Sequence, residues 1–242
     1  MATTFPALLA TLLRADPGRP LVTFYDDATG ERVELSVATY ANWVAKTSSL
    51  FVEELDLGRG DRVLVDLPAH WLTPVFLGAA WNVGLVVVPP GAEADAVVCG
   101  PEGLEEYADR AGALPVVACA LKPLGVRFSE ALPSDVHDFG IEVWSQPDAF
   151  LPYDPPSGDD AALPGTDQAT LLAPDGATLP LADGDRLLTT ANPAGPEGPA
   201  SFVQPLVRGG SVVWVRNADP ASWQRRHDDE RATAVLGQPA RS

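Results

Sequence analysis

The chain has 242 residues, 46% of them hydrophobic and 20% charged, a balance that supports a buried core and excludes intrinsic disorder. Its formal charge is −17, from 33 acidic against 16 basic residues, so like-charge repulsion excludes nucleic acid and an anionic membrane surface as primary ligands. This length fits one large domain or two small lobes.

The basic residues are 14 Arg and 2 Lys, which with abundant Ala and Pro follows the coding bias of a high-GC bacterial genome. Cys99 and Cys119 each sit in an apolar run, where a free thiol behaves as a small buried hydrophobe; neither a metal site nor a disulfide is expected. Met1 to Ala15 has no basic leader region, and no stretch reaches the ~18 apolar residues of a membrane span. A cytoplasmic protein is expected.

Phe5, Leu8, Leu9, Leu12 and Leu13 recur at helical spacing behind Thr4, a candidate N-cap, and Asp16-Pro17-Gly18 ends the pattern. Leu21 to Asp26 and Glu31 to Leu35 are β-rich runs joined through Gly30, which predicts a hairpin. Ser36 is placed to cap a second helix reaching about Leu55, with Gly58 just beyond its end. Arg62 to Leu67 reads as a buried strand, Trp71 to Val83 as a largely apolar helix, and Leu85 to Val88 as a second buried strand, together a parallel β-α-β unit.

Further strands are expected at Ala96 to Cys99 and Pro115 to Ala120, separated by a helix from Pro101 to about Ala111, and a weaker helix at Asp135 to Trp144. Ser145 to Pro180 carries seven prolines and reads mostly as linker or irregular surface. Beyond it, Leu181-Ala-Asp-Gly-Asp-Arg-Leu-Leu188 repeats the pattern of Leu57-Gly-Arg-Gly-Asp-Arg-Val-Leu64, and Phe202 leads through Gly209-Gly210 into Val212 to Val215 as Phe76 leads through Gly84 into Leu85 to Val88. The fold class is therefore α/β, with mainly parallel sheets flanked by helices in two similar β-α-β lobes and a small N-terminal hairpin. The expected division is 1–144, 145–180 and 181–242.

Few residues carry chemistry. Gly58-Arg59-Gly60 ends a helix and precedes a strand, the reverse of a phosphate-binding loop. Gly100-Pro101-Glu102-Gly103 follows a strand, but Glu102, Glu105 and Glu106 supply the helix start with its own anions. His227-Asp228-Asp229-Glu230 cannot converge on one ion from adjacent helical positions, and His70 and His137 have no second ligand at metal spacing. No catalytic and no metal-binding residue is assigned. Asn192 to Pro199, just past the strand Arg186 to Thr190, stands where open parallel sheets bind ligands, which makes Asn192 and Gly195 the candidate ligand-binding residues beside the alternative of a rigid surface loop.

Thr23-Phe-Tyr-Asp26, Val33-Glu-Leu-Ser36, Leu57-Gly-Arg-Gly-Asp-Arg-Val-Leu-Val65, and Phe76-Leu-Gly78 running to Gly84-Leu-Val-Val-Val-Pro89 together resemble the opening of the acyl-adenylate-forming enzymes, the AMP-binding superfamily of acyl-CoA synthetases, luciferases and adenylation domains. Gly184-Asp-Arg-Leu-Leu188, Pro205-Leu-Val-Arg-Gly-Gly-Ser-Val-Val213 and Arg231-Ala-Thr-Ala-Val-Leu236 are similar to the part of that large domain after the ATP loop.

The resemblance implies an ATP-gripping loop rich in Ser, Thr and Gly and ending in Lys, between about Phe150 and Asp185. Here Pro156-Ser157-Gly158-Asp159-Asp160 supplies carboxylates instead, and no lysine follows Lys122. The family's adenine and ribose motifs and its C-terminal domain with the catalytic Lys would come after Ser242, and its aromatic or His after the second strand is missing from Asn192 to Pro199.

The resulting expectation is a non-catalytic, cofactor-free interaction or assembly module, a homodimer or bound to a protein partner. The alternatives are a sensor or carrier with a remnant acyl or nucleotide pocket near Asn192 to Gly195, and a ligase completed in trans.

Overall fold

The amphipathic run after Thr4 forms α1 (Phe5–Ala15), burying Phe5, Leu8, Leu9 and Leu12. Thr4 occupies the N-cap without a side-chain bond; the Phe5 amide instead donates to Gln168 Oε1 at 2.9 Å, so a distant side chain does the capping. The computed structural model describes residues 2–174, 178–196 and 198–239.

β1 (Pro20–Asp26) and β2 (Glu31–Ser36) form the expected antiparallel hairpin, with Gly30 at φ 77° in the turn. Ser36 Oγ accepts the Thr39 amide at 3.1 Å and starts α2 (Val37–Ser49), which runs on as a π-helical turn at Leu50–Glu54. β3 (Arg62–Asp66), α3 (Leu72–Val83) and β4 (Val86–Val88) follow. Every residue of α3 except Asn82 is buried, because the helix is apolar on all sides, and Gly84 ends it in the left-handed region.

The chain then makes β5 (Ala96–Cys99), α4 (Leu104–Ala108), β6 (Val116–Ala118), β7 (Val136–Asp138) and α5 (Phe139–Glu142). Two expectations need correction here. The helix after Pro101 is confined to Leu104–Ala108, and the helix expected at Asp135 to Trp144 opens as a strand in which Val136 pairs parallel with Val116. A free parallel edge at β6 outweighs the helical spacing of Val136, Phe139 and Val143. Asp138 Oδ1 accepts the Gly140 amide and turns the chain into the short helix.

The proline-rich segment is more ordered than its composition suggests. It holds β8 (Ala161–Leu163), β9 (Thr166–Asp167) and α6 (Gln168–Leu171). Gln168, fully buried, donates to the Trp81 carbonyl at 2.8 Å, and Trp81 Nε1 donates to the Ala162 carbonyl at 3.1 Å. β10 (Arg186–Thr189), α7 (Gly198–Val207), β11 (Ser211–Arg216), α8 (Pro220–Asp229) and β12 (Ala234–Leu236) complete the described chain.

The repeat seen in sequence is a repeat in hydrogen bonding. At the first corner Asp61 Oδ2 accepts the Gly58 amide, and the Gly60 amide donates to the Gly84 carbonyl; at the second Asp185 Oδ2 accepts the Ala182 amide, and the Gly184 amide donates to the Arg208 carbonyl. Arg62 and Asp95 exchange bonds as Arg186 and Thr233 do. The true partner of Gly84 is thus Arg208, one extra residue being absorbed in Gly209-Gly210.

Five strands in the order β4-β3-β5-β6-β7 form an all-parallel sheet, and β12-β10-β11-β1-β2 form a second in which only β1 and β2 are antiparallel. The hairpin does not stand with the strands that follow it. Val22 to Asp26 pair with Val212 to Arg216, so residues from both ends of the chain build one sheet.

Side chains alternate across both sheets. Val22, Phe24, Val212 and Trp214 from one, and Val63, Val65, Val98 and Val117 from the other, meet α1, α2, α3 and α7 in a single central core. The opposite faces are covered separately, one by Tyr107 of α4 and the other by Trp223 of α8. The result is five layers, with the carboxyl ends of β3 and β10 brought together.

Candidate functional site

Parallel strands leave a crevice beyond their carboxyl ends, and here two sheets contribute to one. Asn192, just past β10, donates its side-chain amide to the Leu67 carbonyl, just past β3, at 2.8 Å. Asn192 Oδ1 accepts the Ala194 amide at 3.0 Å and its main-chain carbonyl accepts the Gly195 amide at 2.9 Å, so the loop is folded around this one side chain. Glu197 lies outside the described residues.

Both sequence-selected residues, Asn192 and Gly195, line a cleft of about 460 Å³. Its walls come from the ends of β3 and β4 (Leu67, Val87, Pro89), from Leu77 of α3, from the β8 to β9 turn (Leu163, Pro164) and from Pro196 and Pro199 at the start of α7. Five of the lining residues, Pro89, Pro90, Pro164, Pro196 and Pro199, are prolines whose rings fix φ and limit how far these walls can rearrange. Among the described lining residues Asp66 is the sole ionisable one, and its side chain is turned to the face of the sheet that Tyr107 covers. Tyr107 Oη donates to its Oδ2 at 2.9 Å, and burial together with that neighbouring carboxylate pushes the phenol up.

A second, more polar cleft of about 620 Å³ shares Asn192 and is bounded by Pro68, Thr190, Arg216 and Asn217. Arg216 faces Glu102 at 3.7 Å, and Asn217 donates to Asp26 at 2.9 Å. His70 follows two of its wall residues, Pro68 and Ala69, in the chain, yet is 1% exposed. Its ring stands edge-on to Phe24 with centroids 4.8 Å apart; Nδ1 accepts the Leu72 amide, and Nε2 has no partner among the described residues. Burial first, and then the Arg216 charge, push its pKa down to about 3, so the ring is neutral.

The remaining motifs take structural places. Arg59, in the turn between α2 and β3, bridges to Asp154 at 3.0 Å and to Asp160 at 2.7 Å. Burial alone would raise the Asp160 carboxyl, but the Ser157 amide and Arg59 hold it below the usual range. The stretch 150–185, where the resemblance places an ATP loop, contains among its described residues the β8–β9 hairpin, turned by Pro164-Gly165 with Gly165 at φ 76°. His137 pairs with Glu142 at 3.0 Å and His227 with Asp228 at 3.2 Å, both away from the cleft. Among the described residues no group of three or more His, Cys, Asp or Glu converges as metal ligands, and no helix is long and apolar enough to cross a membrane.

Asp66 escaped the sequence reading because a lone aspartate closing a strand carries no motif; its position one residue before Leu67-Pro68 was the available signal.

No protein-family model matches the chain. A TIGR03089 family protein of Mycobacterium tuberculosis is 39% identical over 235 residues, which covers 95% of this chain and 96% of that protein. Among solved structures, an acyl-CoA synthetase of Brucella canis superposes with a TM-score of 0.76 at 17% identity, over 96% of this chain and 47% of that one. A putative long-chain-fatty-acid CoA ligase from Rhodopseudomonas palustris gives 0.76 at 17% identity, over 98% of this chain and 63% of that one. The N-terminal domain of FACL13 from Mycobacterium tuberculosis gives 0.71 at 15% identity, over 97% of this chain and 62% of that one. The chain thus spans about half the length of the first of these structures and less than two thirds of the other two, and it shares the fold of their N-terminal part.

Proposed function

The chain belongs to the TIGR03089 family, and from that premise we propose that it is a non-catalytic binding protein which holds a small, mainly apolar molecule in the cleft beside Asn192. One observation carries this reading: a cleft of about 460 Å³, within the range of ligand sites, is preformed by proline and aliphatic walls at the carboxyl ends of two sheets. Adenylation is disfavoured by the same walls. Stabilising a phosphate in flight needs aimed cationic or amide donors, worth several powers of ten in rate, and the described lining residues include no cation.

A cytoplasmic location fits the two buried free cysteines, whose thiols burial pushes up, Cys99 to about 12.

Thermal-shift and calorimetric titration with medium-chain alcohols, amines, carboxylic acids, CoA thioesters, AMP and ATP tests the proposal. A saturable shift with an apolar ligand and none with ATP is expected. Absence of any shift at millimolar ligand, or pyrophosphate release from ATP by the purified chain, would overturn it.

A second reading, an interaction module that forms a homodimer or binds a protein partner, has its own observation. Leu151 and Tyr153 are 90% and 101% exposed, with Trp144 at 55%, an apolar display that surfaces usually avoid. Native mass of the chain before and after Leu151→Ser and Tyr153→Ser decides it.

A further inference from the structure

Six large apolar side chains stand exposed among the described residues, and four of them, Ile141, Trp144, Leu151 and Tyr153, fall between positions 141 and 153. The segment 146–154 is fastened across α2 and the turn after it. Lys46 pairs with Asp148 at 3.1 Å and donates to the Gln146 carbonyl, and Arg59 pairs with Asp154 at 3.0 Å. Between those two ties the side chains alternate, with Phe150 and Pro152 half-buried and Leu151 and Tyr153 turned out to solvent. The apolar display is pinned at both ends, so its ordering cost is met before a partner arrives.

Between this strap and the core lies a hollow of about 150 Å³, walled by Val52, Leu57, Val83 and Phe150, with Leu151 and Tyr153 on its rim. Such a volume accepts one side chain of about benzene size. The charges around it are sorted by depth. In the two ties the cations lie underneath, Lys46 17% and Arg59 35% exposed at their side chains, while Asp148 and Asp154 face outward at 67% and 72%. Glu53, also on the rim and exposed, has no hydrogen bond or ion pair among the described residues. The face shown to a partner is therefore apolar at its centre and acidic around it. A second copy would bring another −17 against it, which disfavours self-association here.

Resting on the interaction-module reading above, we propose that this ridge docks a basic protein segment, one Leu- or Phe-sized side chain entering the hollow past Leu151 and Tyr153 while flanking Lys or Arg side chains meet Glu53, Asp148 and Asp154. The anchor leaves water against walls that make no polar demand, and the cations form charge-assisted bonds with carboxylates already turned outward. The apolar seat supplies most of the affinity and the acids choose the partner.

The test pans a library of random peptides displayed on phage against the full chain and measures the leading synthetic peptide by calorimetry. A consensus with one apolar residue flanked by Lys or Arg is expected, its affinity falling as salt is raised. Leu151→Ser combined with Tyr153→Ser should weaken that peptide about tenfold or more, and Val52→Phe, which fills the hollow without touching a charge, should do the same. A consensus without basic residues, or binding insensitive to both salt and Glu53→Gln, overturns the charge assignment while the interaction-module reading stands. Binding that survives the double serine variant and Val52→Phe lies elsewhere on the chain and overturns the site. A dimer by native mass that is lost in the double variant makes a second copy the occupant and overturns the basic partner. A monomer that enriches no peptide overturns both this proposal and the reading it rests on.

Discussion

The side-chain amide of Asn192 lies 2.8 Å from the carbonyl oxygen of Leu67, 125 positions earlier in the chain, and through that bond the loop after β10 is fastened to the end of β3. Two sheets that share no strand pairing are thereby joined at the rim of the cleft. Replacing Asn192 by Ala should lower stability by about 1–2 kcal/mol and weaken any ligand of the cleft. Asn192→Asp should be worse than Ala, since it sets a carboxylate against a carbonyl. Urea denaturation of the three proteins gives the order directly.

Gly198 and Gly195 should differ sharply, although they stand three residues apart. A Cβ on Gly198 would come within 1.9 Å of the Asn192 carbonyl oxygen and 2.5 Å of Pro193 main-chain atoms, none of which yields without moving the loop. On Gly195 the tightest contact is 3.2 Å. Gly198→Ala is expected to cost about 3 kcal/mol or more, and Gly195→Ala under about 1 kcal/mol. Chemical denaturation checks both.

Acid should act on this protein through His70. The ring stays neutral in the folded state down to about pH 3, whereas an unfolded histidine takes its proton near pH 6.5. The folded pKa is the lower of the two, so the stabilising contribution is complete above pH 6.5 and is lost as pH falls toward 3. Between those limits the loss from His70 alone should approach about 1.4 kcal/mol per pH unit. Arg216 works in the same direction as burial, and Asp26 opposes it. His70→Phe should flatten the profile between pH 6 and pH 4.5 and also removes the unpartnered Nε2. Unfolding free energy measured against pH for both proteins settles the point.

Glu230 governs a lower range. Burial raises its carboxyl, but hydrogen bonds from Tyr25, Arg186 and Arg32 prevail and hold it below the ordinary 4.5. Its contribution is therefore present above that value and disappears as pH falls through the depressed one. Glu230→Gln leaves Arg186, 15% exposed at its side chain, with only the more distant Glu34 carboxylate at 3.9 Å and should cost about 3 kcal/mol at neutral pH, read from guanidinium denaturation.

Inside α3, Gly78 exists for Tyr40. A Cβ there would fall 2.1 Å from Tyr40 Oη, which donates to the Pro74 carbonyl at 2.8 Å. Gly78→Ala should cost about 2–3 kcal/mol, and adding Tyr40→Phe should cost less than the sum of the separate changes, because the hydroxyl that clashes is gone. A double-mutant cycle measures the difference.

Much of this architecture was legible because local chemistry and global role agree. Gly60-Asp61 and Gly184-Asp185 spell the same corner twice, and the short aliphatic runs after them, Val63-Leu64-Val65 and Leu187-Leu188, read as buried strands. The placement of the hairpin was not legible, since Val22 finds Val212 across 190 positions and nothing near either residue announces the other. Val136 was read as part of a helix from Asp135 to Trp144, and its spacing to Phe139 and Val143 is one that a three-residue strand followed by a short helix also produces.

At the cleft, Asn192 and Gly195 were selected by position alone, as residues beyond a strand end, and both line it. Asp66 was missed at the equivalent place in the other sheet, and the β8–β9 hairpin was hidden by the prolines around it.

Because β1 waits for β11, synthesis imposes an order on folding. The strands of the all-parallel sheet are complete once residue 138 has left the ribosome, but the hairpin at 20–36 has no neighbour on its open side until residues 211–216 appear. Through most of translation Leu21, Val22 and Phe24, all fully buried at the end, remain without the strand that covers them, and the nascent chain carries an adhesive edge for that whole interval. Its yield in cells should therefore depend on elongation rate and chaperone supply more than on the stability of the finished fold.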